Sequence, residues 1–504
     1  AAVRQGRERR LQGNDLQASQ MFWAPDGRSI GYIDDTKLRT VSIAGGEPRT
    51  VCDAVSYRGA SWGNDTIVFA GGQGPIYSVP AGGGTPEAVT VLDEAQGETA
   101  HRYPHFLPDG ETFLYVALPG KHRVLPVYAG HVDGRDPVLV THSLISPVYT
   151  SGYLVFQRGG RLLAQAFNPD ALVLSGEPAD LGPAPALWSA VGSTKVSASR
   201  NGTLAYVSAE DQRTRLVWKD PENFQDLESI QIEPGAYLEV EFSPDARHLA
   251  LIKESSPEES DVYVLELDRR ILSRFTQGPG NHQNVKWSPD GKWIAYSTDT
   301  HGPWDIYRKP FPGGGAAEPV VTGPGPFKNV LDWSPDGKFI LYSALGVGTN
   351  MDLWYVPADG SGEPQPYKAE TYQEERGSIS PDGNWVAYIS RECGETSVYV
   401  DSFPVPGEKH RVSIDGGDNP SWTSDGAGIR FLSRGRMFLA EVQKEPGLRT
   451  GIPKEQFVLD GEVRWASRSQ DGRIVVIKPV TETRDDASIT VVLNAFSELA
   501  TKDR

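Results

Sequence analysis

The stretch Gly27-Arg28-Ser29-Ile30-Gly31 matches the G-x-S-x-G spacing of a hydrolase nucleophile elbow. That chemistry needs the serine on a sharp strand-to-helix turn. Here the pentapeptide falls where sibling segments of the chain read as the second strand of a small sheet, so Ser29 is expected at a β position. His101-Arg102-Tyr103 begins like a kinase catalytic loop but lacks the aspartate that would act as base. A Gly-rich phosphate loop, a VAIK-type strand and a DFG are also missing, so this chain is not expected to transfer phosphate. The nine histidines are His101, His105, His122, His131, His142, His248, His282, His301 and His410, and none sits in an HExxH or similar close set. Ligands gathered from separate strands escape a spacing test. The catalytic alternative is therefore a polysaccharide lyase or a metal-assisted hydrolase. No catalytic residue, metal ligand or cofactor is assigned.

A row of carboxylates is more regular. Asp26, Asp109, Asp245, Asp290, Asp336 and Asp382 each stand in a Pro-Asp turn, followed by Gly everywhere but at Asp245. Pro pre-sets φ, Asp bonds to local backbone and Gly takes the left-handed conformation, so these aspartates read as turn formers. From Asp245 the beat continues through Asp290, Asp336, Asp382, Asp425 and Asp471, in steps of 43 to 46 residues. The last two copies have decayed to TSDG and SQDG, and weaker upstream copies lie at Gly63, Ser151 and Arg200. Before each clear turn runs a short strand ending in an aromatic, such as Trp287 or Trp333. After it comes a strand apolar on both faces (WIAYS, FILYS, WVAYIS), as expected between two other sheets. A third strand opening with Asp261, Asp305 or Asp352 and a fourth, polar strand close the unit. That aspartate recurs with the repeat and reads as structural. Four antiparallel strands at a period near 45 describe a β-propeller blade.

The bulk numbers agree with an all-β chain. Its 504 residues include 54 Gly and 38 Pro, a turn-rich composition. A formal charge of −17 argues against nucleic-acid binding, which needs clustered Lys and Arg. Cys52 and Cys393 are read as separate thiols, too few for a structural zinc site. No apolar run is long enough for a membrane span. AAVRQGRERR, without an initiator Met or a hydrophobic signal core, reads as the edge of a longer or processed protein.

WSPDGKWIAYST followed by DIY resembles the PD40 (WD40-like) repeats of the Tol-type β-propeller family. YRGASW, ETAHRYPHFLPDG, SGYLVFQRGGRLLAQAF, LSRFTQGP and ITVVLN look like the propeller region of bacterial (acidobacterial-type) receptor Ser/Thr kinases. The resemblance implies an extracytoplasmic (periplasmic or cell-surface) sensor, membrane-tethered in the full-length protein.

Blade arithmetic then gives two six-bladed propellers in tandem, residues 1–237 and 238–504. The first is expected to be incomplete or closed by a borrowed strand, with residues 1–19 supplying the last strand or two of a blade. One continuous ring of 11 blades is the alternative. Function should lie where blades differ, in the segments entering the innermost strands. These carry His101, Arg102, His105, His282, Asn284, Lys328, Asn329, Glu374, Glu375, Arg376, Asp418 and Asn419. Together they read as a channel mouth for a small polar ligand, glycan or peptide. A protein-binding scaffold is the third reading, and solvated loop residues filling the channel with water are the bland one.

Overall fold

In the computed structural model, residues 19–496 are described except 35–36, 55–57, 72–73, 120–124, 185–195, 200, 208–212, 257–258, 303, 324, 326, 347–350, 445–446, 460–462, 464, 481–488 and 493–495. The strands expected within 1–18 and the turn copy at Arg200 lie outside the described residues.

Two compact units divide the chain. Among the described residues, one comprises those within 19–119, 125–207 and 489–496, and the other those within 213–480. This departs from the expected boundary at residue 237. Residues 213–237 belong with the second unit, and the C-terminal residues return to the first.

In the second unit, five sheets follow one another along the chain: the four-stranded blade 1 (236–274), blade 2 (282–321), blade 3 (328–368) and blade 4 (374–411), then the five-stranded blade 5 (418–458). Blade 6 takes strands from both ends of the unit. Thr214–Lys219 and Asp226–Ser229 pair into one sheet with Ile474–Pro479 and Trp465–Arg468. Each junction between neighbouring blades is filled by its own apolar cluster. Leu216, Val475 and Ile477 of blade 6 meet Val240 and Leu249 of blade 1. Ile252 and Val262 meet Val285 and Ile294, and Ala295 and Ile306 meet Val330 and Ile340. Leu341 and Leu353 meet Ile379 and Val386, and Ala387 and Val398 meet Ile429 and Phe431. Phe457 of blade 5 then packs on Val217 and Phe224 of blade 6, with the Phe224 and Phe457 rings stacked at 4.5 Å. The series therefore closes on itself. It also explains the two-faced strands: Ile294 and Ala295, adjacent in sequence, fill the junctions on opposite sides of one blade.

The first unit has four four-stranded sheets, within 19–53, 60–88, 98–143 and 148–183. A fifth contains Val196–Ala198, Leu204–Val207 and the C-terminal strand Ile489–Val492. The edge strand of this sheet comes from the far end of the chain. The second unit is thus inserted between two strands of one sheet of the first. Ser29 opens the strand Ser29–Asp34, with no helix behind it.

Candidate functional site

The six aspartates of the Pro-Asp turns act inside their own turns. Asp290 Oδ1 accepts from Lys292 N at 3.1 Å and from Ser288 Oγ at 2.7 Å, while Ser288 Oγ accepts from Trp293 N at 2.9 Å. Asp245, Asp336 and Asp382 repeat the arrangement with Ser243, Ser334 and Ser380. Asp26 accepts from Arg28 N. Two residues before Asp26 and Asp109 stand Ala24 and Leu107 where the other four have serine, and Asp109 takes Thr112 Oγ1 as its hydroxyl donor at 2.6 Å. The copies without Pro keep the same bonds through Thr423–Asp425 and Ser469–Asp471. Hydroxyl, carboxylate and glycine are enough to make the turn.

The inner strands of blades 6, 1, 2, 3, 4 and 5 adjoin in that order. Three of their opening residues, however, are buried rather than open to solvent. His282 is buried, its Nδ1 2.7 Å from Ser260 O and its ring tilted against Tyr296 at 5.3 Å. Lys328 is buried too. Its ammonium pairs with Asp305 at 2.9 Å and donates to the carbonyls of Gly323 and Gly325 at 3.0 and 3.2 Å. Glu374, only 1 % exposed, accepts from Ser390 Oγ at 3.3 Å. In the first unit His101 is equally buried, between Thr90 Oγ1 at 2.8 Å and Glu98 Oε2 at 3.0 Å, with its ring 4.7 Å from Tyr115. These four were expected at a channel mouth. They are instead members of polar knots that tie one blade to the next.

One residue further along, the strands turn toward solvent. Gln283 Nε2 donates to Asn329 Oδ1 of the next blade at 3.0 Å. Glu375 follows at the same level in blade 4, where burial raises its carboxyl above the ordinary range against the pull of Arg376 and Arg391. Arg376 pairs through Nε with Asp418 at 3.1 Å and donates from Nη1 to Asn419 Oδ1 at 2.5 Å. The Arg376 and Asp418 side chains remain 45 and 47 % exposed. At this level the inner strands of blades 2, 4 and 5 bulge, and Asn284, Arg376 and Asn419 adopt φ of 54°, 54° and 49°. A bulge re-aims the extra side chain out of the ladder, and left-handed backbone in non-glycine residues costs roughly 1 kcal/mol each. Three blades carry that strain at one level.

A second row lies two to three residues further on. Lys286 Nζ pairs with Glu241 of blade 1 at 3.0 Å, each side chain about a quarter exposed. Glu239 accepts from Val285 N at 3.4 Å, and Asp332 accepts from Ile379 N of blade 4 at 2.8 Å. Burial lifts Glu239 to about 7 and raises Asp332 as well. Burial opposes the Lys286 charge, but Glu241, Asp332 and Glu239 together hold its pKa above the usual value. These four residues were missed in the sequence. The signal was present: Glu241, Lys286 and Asp332 each directly precede the strand-ending aromatic.

In the first unit, Arg102 is buried rather than at a mouth. Burial and the nearby Arg58 lower its pKa to about 10. Burial also lowers His105, against a backbone hydrogen bond at Tyr149. Among the described residues, no group of three or more His, Cys, Asp or Glu could hold a metal ion, and no helix is long and apolar enough to cross a membrane.

The description "PD40: TolB beta propeller domain" matches residues 191–422, which contain the best-formed turns and most of this rim. That region is a TolB-type PD40 β-propeller region. An uncharacterised protein of Agrobacterium fabrum is 33% identical to this chain over 48 residues, 10% of this chain and 16% of the relative. The match thus spans about a sixth of that relative's length. Among solved structures, a TolB from Agrobacterium tumefaciens shares 19% identity at a TM-score of 0.42, covering 53% of this chain and 99% of its own. TolB from Acinetobacter baumannii shares 17% at 0.37, covering 60% and 79%. The PD40 match ends at Trp422, just past Asp418 and Asn419.

Proposed function

We propose that the second unit is a non-catalytic binding module. Its ligand seats on the rim made by Gln283, Asn329, Glu375, Arg376, Asp418 and Asn419. The carrying observation is Arg376, held at positive φ with half its side chain in solvent and fixed by Asp418 and Asn419 from the next blade. A strained, pre-oriented guanidinium beside a raised carboxyl offers donors and acceptors of both signs. A peptide segment, with its own backbone amides and charged side chains, matches that pattern best. We also propose that each compact unit is one propeller, and that the pair is the extracytoplasmic sensor part of a receptor. The resemblance to kinase-linked propeller regions supports that location, and a membrane helix encoded upstream of residue 1 would test it.

Binding is tested by probing peptide and glycan arrays with the wild-type protein and with Arg376→Glu. Arg436→Glu, at a third-strand arginine of blade 5 paired with Glu455, is the control. The reading expects peptide spots that lose at least about tenfold in signal with Arg376→Glu alone. Spots equally retained by Arg376→Glu, or turnover of an arrayed glycan, would count against it. Arg102→Glu is unsuitable as a site probe, since it would bury a new charge and unfold the first unit.

A further inference from the structure

The knots between blades share a plan. In blades 2, 3 and 4 the inner strand's first residue is buried, and in blades 2 and 3 it bonds to the start of the third strand of the preceding blade, His282 to Ser260 O and Lys328 to Asp305. In blade 2 the first residue is His282, against Tyr296. In blade 3 it is Lys328, whose ammonium neutralises Asp305 of blade 2 at 2.9 Å. In blade 4 the same place holds Glu374, and the preceding blade still supplies an aspartate, Asp352, whose charge acts on Glu374. Both acids are buried, at 1 and 2 % exposure. Glu374 Oε1 accepts from Ser390 Oγ, whereas Oε2 has no hydrogen-bond partner among the described residues, and neither has the nearby Tyr388 hydroxyl. Where blade 3 places a cation, blade 4 places a second acid.

We infer that Glu374 is a buried proton-binding group, its proton serving the junction of blades 3 and 4 as the Lys328 ammonium serves the junction before it. The groups facing it are Asp352 from blade 3, Glu370 from the loop before the strand, and Ser390 and Tyr388 from the second strand. Beyond Tyr388 lie Asp401, paired with Lys368, and Glu392, paired with Lys409. None of the named facing groups brings a positive charge onto Glu374. Burial first, then the charges of Asp352 and Glu370, raise its carboxyl from 4.5 to about 7, against the Ser390 bond and a backbone hydrogen bond at Glu370. The folded protein therefore holds this proton more tightly than the unfolded chain. The stability it contributes is complete below pH 4.5 and is lost as pH rises through about 7. Between pH 5 and pH 8 the folding constant of the second unit should fall on the order of a hundredfold through this group.

The test is urea unfolding of the whole chain from pH 5 to 9, with infrared difference spectra of the carboxyl region. Glu374→Gln keeps a neutral side chain of the same shape. It should remove the part of the pH slope that Glu374 carries, and one protonated-carboxyl band that wild type loses near pH 7 should be absent. Glu374→Lys reproduces the Lys328–Asp305 arrangement and should be more stable than wild type at pH 8.5. An unchanged pH slope in Glu374→Gln would overturn the inference. So would failure of that variant to fold, because a neutral isostere should be tolerated, or a Glu374→Lys less stable than wild type at pH 8.5.

Discussion

At the scale of single residues, the charges on the inner strands form a mutually dependent set. Lys286 is the ammonium shared by Glu241, Asp332 and Glu239. Lys286→Met should destabilise the second unit by about 1–2 kcal/mol at pH 8, between the worth of exposed and buried pairs. At pH 5 the loss should be smaller, because Glu239, lifted to about 7, is already protonated there and the raised Asp332 carboxyl protonates more readily once its cation is gone. Urea titrations at the two pH values measure the difference. The reverse ordering, a larger loss at pH 5, would show that Lys286 acts through packing.

At the scale of strands, the rim is where backbone strain and exposed charge coincide. Arg376→Gly should leave stability unchanged or raise it by up to about 1 kcal/mol, since glycine adopts positive φ freely. It should also remove peptide binding, which array signal and thermal unfolding read separately. Elsewhere the close fit leaves no such latitude. A Cβ at Gly31 would lie 2.2 Å from the Phe22 ring, so Gly31→Ala should destabilise the first unit by about 1–3 kcal/mol. Much of this level was legible in the sequence. The Pro-Asp turns, the two-faced second strands and the aspartates opening the third strands follow from local chemistry repeated at one period. The orientation of the inner strands was not. Each bulge inserts a residue and resets the alternation of side chains. His282, Lys328 and Glu374 therefore point into blades while Gln283, Asn329 and Glu375 point out, a distinction that a polar segment alone does not carry.

At the scale of the whole molecule, strands join across sequence distances that no local pattern encodes. Thr214–Lys219 precedes the first clear turn of its unit, and it finds its place through Ile474–Pro479. Two buried lysines, Lys219 and Lys478, meet at Asp226 in that closing blade, tying the ends of the unit together. No local pattern in Thr214–Lys219 encodes that pairing, so a count of turns along the sequence ends the first unit near residue 237 instead. The same holds for the C-terminus, where Phe496 stacks on Tyr153 at 4.8 Å and Ile489–Val492 completes a sheet of the first unit. Phe496→Ala should cost the first unit about 3 kcal/mol and leave the unfolding of the second unit in place, as separate calorimetric transitions would show. The central claim remains the rim on the second unit. Hydrogen–deuterium exchange of the whole chain, with and without the strongest array peptide, tests it most directly. Bound peptide should slow exchange in Glu374–Ile379 and Asp418–Trp422, and Arg376→Glu should abolish that slowing. Protection confined to outer strands such as His410–Arg411 and Arg449–Thr450, with the inner strands unchanged, would contradict it.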